Sequence, residues 1–277
     1  MQPSIALTIA GSDCSSGAGI QADLKTFSTH NCHGLTALTC IVAETPGNVV
    51  SIHPIPPAIL QQQIEILLES YPIAAIKTGM LYSKAHLVAV TEILSNHRSI
   101  PLVVDPVMVA TSGSTLLEKN AIQSYHDRLL PLASLITPNM PEASVLLDEP
   151  VEIRSDLEPA AKKLSELFQT SVLLKGGHLP DTGDRLDVLW HNGEAHHFSA
   201  PLIEIGCTHG TGCTLSAAIT AHLSQGTDMI EAVQKSTEWI HSCISNSFKW
   251  PSPKDPAMNI HCLNHLKSHE APLNCIT

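Results

Sequence analysis

Short apolar runs, rich in β-branched residues, alternate with amphipathic stretches along most of the chain. Ser4–Ala10, Leu35–Val42, Ile73–Lys77, Leu102–Asp105, Leu135–Thr137 and Ser171–Lys175 are mostly near-continuous in Val, Ile and Leu, as strands covered on both faces are. Between them, Leu60, Ile64, Leu67 and Leu68 recur at helical spacing behind Pro57, which a first helical turn tolerates. Ile230, Val233, Thr237, Ile240 and Ile244 form a second such stripe. The segments Asp187–Leu189 and Ala195–Ser199 flank Asn192-Gly193, a pair suited to a type I′ hairpin turn. Strands alternating with helices predict an α/β fold: one three-layer αβα sandwich on a mainly parallel, doubly wound sheet. Pro251–Pro256 breaks the pattern, so the domain is expected over 1–250 and a weakly ordered or surface-packed extension over 251–277.

The 277 residues carry 26 acidic and 15 basic side chains, a formal charge of −11. Such a surface repels phosphate backbones and anionic lipid, so neither nucleic acid nor membrane is an expected partner. No apolar run approaches the ~20 residues that cross a bilayer. The start, Met1-Gln2-Pro3-Ser4, lacks the basic segment of a signal peptide, which points to the cytoplasm. The eight cysteines show no CxxC pair or zinc ladder and read as free thiols of a reducing compartment. Sixteen histidines form no HExxH motif. His261, His265 and His269 are spaced to share one helical face, and read as solvated or capping groups rather than a metal site.

Chemistry concentrates where strands end, which is where open α/β sheets bind ligands. Gly11–Asp23 (GSDCSSGAGIQAD) joins the first strand to the first helix, and its three glycines allow close backbone approach. It has neither the dinucleotide nor the P-loop spacing. Thr208–Ala218 (THGTGCTLSAA) opens a small-residue helix whose free N–H groups suit an anion. Cys213 falls in that first turn, where the helix dipole is expected to lower a thiol pKa.

With these two segments stand Lys77–Leu81 (KTGML), Asp105–Val109 (DPVMV), Thr137–Ala143 (TPNMPEA) and Leu173–His178 (LLKGGH). Together, over Ile5 to about Leu223, they resemble the hydroxymethylpyrimidine/phosphomethylpyrimidine kinases of thiamine biosynthesis, within the ribokinase-like superfamily. The resemblance implies ATP-dependent phosphorylation of 4-amino-5-hydroxymethyl-2-methylpyrimidine, then of its monophosphate. It implies an anion hole at Gly210, Thr211 and Gly212, with Cys213 where most of the superfamily places an aspartate base. Asp105 and Glu142 match positions that handle Mg2+, Asn139 those at the ATP phosphates, and Lys175 the nucleotide-side loop. Gly11, Asp23, Glu44, Met80 and Val107 match the pyrimidine pocket. Relatives of this kind are commonly dimers.

Four positions depart from the family's pattern. Cys14 and Ser16 stand where proline and glycine are usual, Thr111 where lysine is frequent, and Glu44 where glutamine is usual. Glutamine offers one acceptor and two donors to an aminopyrimidine edge, whereas an ionised glutamate only accepts. Two other readings compete: a pyridoxal or pyridoxine kinase, which shares the fold and the GTG anion hole, and a catalytically silent pyrimidine-binding module.

Overall fold

In the computed structural model, which describes residues 2–108, 119–177, 184–203, 209–253 and 259–266, the apolar runs become strands of one nine-stranded sheet. The first half comprises β1 (Ser4–Asp13), α1 (Gly19–Thr29), β2 (Cys32–Thr45), β3 (Asn48–Pro54), α2 (Pro57–Ser70), β4 (Ala75–Thr78), α3 (Lys84–Leu94) and β5 (Leu102–Val104). Then come α4 (Lys119–Ser124), β6 (Leu135–Ile136), α5 (Met140–Leu147), α6 (Leu157–Phe168), β7 (Ser171–Lys175), β8 (Asp184–His191) and β9 (Glu194–Pro201). Helices α7 (Thr211–Ser224) and α8 (Met229–Ser245) precede a small hairpin of β10 (Phe248–Pro251) and β11 (Asn259–Cys262).

The sheet order is β3-β2-β1-β4-β5-β6-β7-β8-β9. Pairings from β2 through β7 are parallel, and β3, β8 and β9 are antiparallel additions at the edges. Side-chain alternation sorts each buried strand onto two cores. In β7, Val172 and Leu174 join the core beneath α2, α3, α5 and α6, while Leu173 joins the one beneath α7 and α8. The expected αβα sandwich is therefore present. The hairpin turn also falls where expected, with Asn192 and Gly193 both at positive φ, as a type I′ turn requires.

β3 lies outside the expected strands because it is an edge strand with a largely exposed surface, so it lacks a buried apolar run. The tail histidines share no helix: His261 lies in β11 and His265 in the turn beyond it. His269 and the rest of 267–277 lie outside the described residues. Residues 259–266 are anchored by two buried side chains, Leu263 and His265. Leu263 enters the α7–α8 core, and His265, 3% exposed, meets Thr214 Oγ1 through Nε2 at 3.0 Å. The six described cysteines are free thiols; Cys207 and Cys275 lie outside the described residues. Among the described residues, no helix is long and apolar enough to cross a membrane.

The connection leaving β1 runs to β2 on one side and the one leaving β4 runs to β5 on the other, so the sheet's switch point opens between β1 and β4 at their carboxyl ends. Directly under it, Lys77 of β4 donates to Asp23 of α1 at 3.0 Å, both side chains wholly buried. Thr8 Oγ1 donates to the same Asp23 oxygen at 2.6 Å. Burial opposes a charged Lys77, but the Asp23 carboxylate outweighs it and holds the ammonium charged.

Two predictions follow from this packing. Lys77→Ala would leave Asp23 as a buried unpaired charge, a loss of about 3–5 kcal/mol that should lower Tm by roughly 6 °C or more. A thermal melt within 2 °C of the native value, a limit set at about 1 kcal/mol, would show the pair to be dispensable. The second concerns pH. Burial first, then Lys25, lowers His265 to about 4, and burial with His30 lowers His222 to about 4. Unfolded imidazoles take protons below about pH 6.5 while these two refuse them until about 4, so stability should fall across that window. His265→Gln should flatten the decline of Tm between those pH values; an unchanged slope would contradict the assignment.

Candidate active site

Gly11 is where β1 slips register against β2, and a Cβ there would lie 2.9 Å from Cys40 Sγ, so the chain bends where only glycine fits. The loop beyond it wraps around Asp13. One Asp13 oxygen accepts from Ser15 N at 2.6 Å, and the other from Gly17 N, Ala18 N and Ser15 Oγ. That second oxygen also meets His209 Nε2 at 3.0 Å, 196 residues away in sequence. Burial pushes the Asp13 carboxyl up, but His209 and the loop donors prevail and bring it to about 2. Gly210, at positive φ, then caps α7; a Cβ there would sit 1.8 Å from Gly17 O. The loop after β1 and the loop before α7 are thus a single interlocked unit.

Across the crevice, Lys175 at the end of β7 donates to Asp105, just past β5, at 3.0 Å, and Thr137 donates to the same oxygen at 3.1 Å. Burial raises the Asp105 carboxyl, and Lys175 with Lys77 more than reverses it, so Asp105 stays ionised. Gly212 packs on this pair, with a would-be Cβ 3.3 Å from Lys175 Nζ and 3.6 Å from Asp105 Oδ2. Asn139 caps α5, accepting from Glu142 N at 2.8 Å, while Glu142 Oε2 accepts from Asn139 N at 2.8 Å. Burial is the main cause that lifts the Glu142 carboxyl to about 7.

Of the site residues read from the sequence, all but Asp23 line one cavity of ≈ 590 Å³. Asp23 sits behind its wall, wholly buried in the pair with Lys77. A second correction concerns Cys213. It stands in the first turn of α7, but burial pushes its thiol up to about 11, helped by Asp105 and Asp23 and only partly resisted by Lys77. Desolvation there exceeds the helix dipole, which carries only about half a charge. The sequence reading missed Asp13 and His209 as working residues although both lie in the two glycine-rich segments; a carboxylate amid small residues that expose N–H groups was the available signal. Thr111, His178 and Thr208 lie outside the described residues.

Asp13, Glu44 and His209 place one donor atom each within 4.8 Å of one another. The Asp13 oxygens are already occupied by N–H and O–H donors, which makes this a hydrogen-bonded cluster rather than a cation cage. Asp105 and Glu142 are hard oxygen donors at the other end of the cavity, beside the cationic Lys175.

The sequence profile of the family described as phosphomethylpyrimidine kinase matches residues 13–257. A putative hydroxymethylpyrimidine/phosphomethylpyrimidine kinase 2 of Schizosaccharomyces pombe is 41% identical over 279 residues, 95% of this chain. The chain spans about half of that longer relative, 50% of its length. The hydroxymethylpyrimidine/phosphomethylpyrimidine kinase of Escherichia coli K12 is 40% identical over 87% of this chain and 91% of its own. Among solved structures, an ADP complex of Bacillus subtilis pyridoxal kinase superposes with a TM-score of 0.85 at 36% identity, covering 95% of this chain and 98% of that one. With the profile matching 13–257, from the end of β1 through α8 and β10, the chain belongs to the phosphomethylpyrimidine kinase family.

Proposed function

We propose that this chain transfers the γ-phosphoryl group of ATP to the hydroxymethyl group of 4-amino-5-hydroxymethyl-2-methylpyrimidine, and then phosphorylates the monophosphate to the pyrophosphate used in thiamine synthesis. The observation that carries the reading is a single cavity in which the N-terminus of α7 meets the Asp105–Lys175 pair on one side and the Gly11–Met80 wall on the other. Phosphoryl transfer is mainly positioning and charge neutralisation, and a chain of charge −11 must neutralise locally. Lys175 and the N–H groups at Gly210–Cys213 provide that at the moving phosphoryl group. Asp105 and Glu142 suit Mg2+, which bound with the nucleotide would shield the phosphate oxygens; their occupied oxygens favour contact through its retained waters.

Cys213, with its pKa near 11, rests as a neutral thiol. Its role is to orient the acceptor hydroxyl rather than to take its proton at neutral pH. We propose a cytoplasmic homodimer, a reading that the free thiols of the six described cysteines support as to compartment. Exposed Ile41 and Val50 on the β2–β3 edge are in keeping with a partner there. The likeness to pyridoxal kinase supports a second reading, in which the acceptor is a pyridine. A coupled ATP assay with hydroxymethylpyrimidine and with pyridoxal decides between them. Turnover of the pyrimidine is expected, and binding of either ring without turnover would leave a silent module.

Cys213→Ala should lower kcat by about 10²-fold, the scale of lost positioning, with KM changed much less. The native kcat should show no limb that tracks a thiol titration. A tenfold rise per pH unit that vanishes in the variant would instead make Cys213 a base. Glu142→Gln keeps the cap of α5 while removing the charge, so the Mg2+ concentration for half-maximal turnover should rise by about tenfold or more without loss of Tm. Unchanged Mg2+ dependence in both Glu142→Gln and Asp105→Asn would remove these residues from that role.

A further inference from the structure

Two polar groups share the cavity wall: Lys175 with Asp105 and Glu142 at one end, which suits phosphates and their Mg2+, and Asp13 with Glu44 and His209 at the other. A polyphosphate belongs at the first end, so the second receives the acceptor ring. Glu44 reaches it through a register slip in the β2–β3 pairing between Ala43 and Glu44. Its backbone is clamped by Cys14, which donates from Sγ to Glu44 O at 3.2 Å and accepts from Glu44 N at 3.3 Å. Two departures from the family's pattern, Cys14 and Glu44, are therefore one structural unit. The titratable groups that face Glu44 are Asp13 on β1, His209 before α7, Cys14 in the intervening loop and Cys40 on β2. Among the described residues, no hydrogen bond joins the Glu44 carboxylate to another side chain.

We infer that Glu44, set beside the Asp13–His209 pair, selects an acceptor ring that presents two adjacent hydrogen-bond donors, so that an aminopyrimidine is bound with one extra proton shared between its ring nitrogen and Glu44. This rests on the function proposed above and names the form of the substrate that the site takes. A neutral aminopyrimidine offers an amine donor next to a ring-nitrogen lone pair. One Glu44 oxygen accepts the amine, and the other would face that lone pair. A proton taken from solvent turns the clash into a second hydrogen bond, giving a two-point carboxylate–amidinium contact. Burial, then the Asp13 charge, raises the Glu44 carboxyl while His209 lowers it, so the site already favours uptake of a proton. Asp13, held near 2, stays ionised and does not compete for it.

The test is calorimetric titration of the full chain with hydroxymethylpyrimidine, free of nucleotide, from about pH 6 to about pH 8.5, in buffers of different ionisation enthalpy. Near the upper limit, the native protein should take up about one proton per ring bound, and its Kd should weaken by up to tenfold per pH unit. Glu44→Gln, which is isosteric, should bind without uptake and with a flat Kd; Cys14→Ala, which frees the Glu44 backbone, should weaken the uptake. Absence of proton uptake in the native protein, while it binds and phosphorylates the pyrimidine, would overturn this inference and leave the proposed function standing. Failure to bind the pyrimidine at all, with pyridoxal phosphorylated, would overturn both.

Discussion

The ion pair between Asp105 and Lys175 organises the cavity around it. It joins β5 to β7 across β6 at 3.0 Å, at the carboxyl ends of these strands where the apolar cores end. A carboxylate so buried is costly unless paired, and the pairing with Lys175 keeps it charged. Gly212 packs against both members, and a Cβ there would press the lysine ammonium, so the absence of a side chain helps the start of α7 lie close to the strand ends.

A second constraint links the two ends of the chain's motif set. Asp13 collects donors from its own loop and from His209, so the wall formed by β1 and the N-terminus of α7 are fixed relative to each other. Ser16, at φ 65, shows the strain of that loop: it holds a left-handed conformation that a glycine takes at no steric cost. Beyond α7, His265 meets Thr214, the residue next to Cys213, so the packed part of the C-terminal segment supports the same helix. Cavity, loops and tail are coupled through polar contacts that are mostly buried, and each is sensitive to loss of a single partner.

Chemistry divides along the same lines. Lys175 with Asp105 and Glu142, and Asp13 with Glu44 and His209, are two separate polar groups on one cavity wall. Under the proposed function the first would hold the donor's phosphates and the second the acceptor, without a separate domain for either. The high thiol pKa of Cys213 follows from its place between the two ends, desolvated and near carboxylates.

The alternation of buried runs and amphipathic stretches determined the layered α/β fold, because strands covered on both faces and helices with one apolar stripe can satisfy their surfaces in few other ways. The Asn192-Gly193 turn was equally local, since its backbone conformation is set by two residues. β3 was not legible, because an edge strand need bury little. The ordered motifs named the residues of the cavity, but not which of them face it. Asp23 turns inward to Lys77, and only the packing of α1 on the sheet decides that. Likewise, the sequence placed Cys213 at a helix start, where a dipole lowers a thiol pKa. Tertiary burial reversed the sign, because desolvation depends on everything packed around the sulfur and leaves no mark in the neighbouring residues. The contacts of Asp13 with His209 and of Cys14 with Glu44 join positions far apart in the chain, and folding alone brought them together.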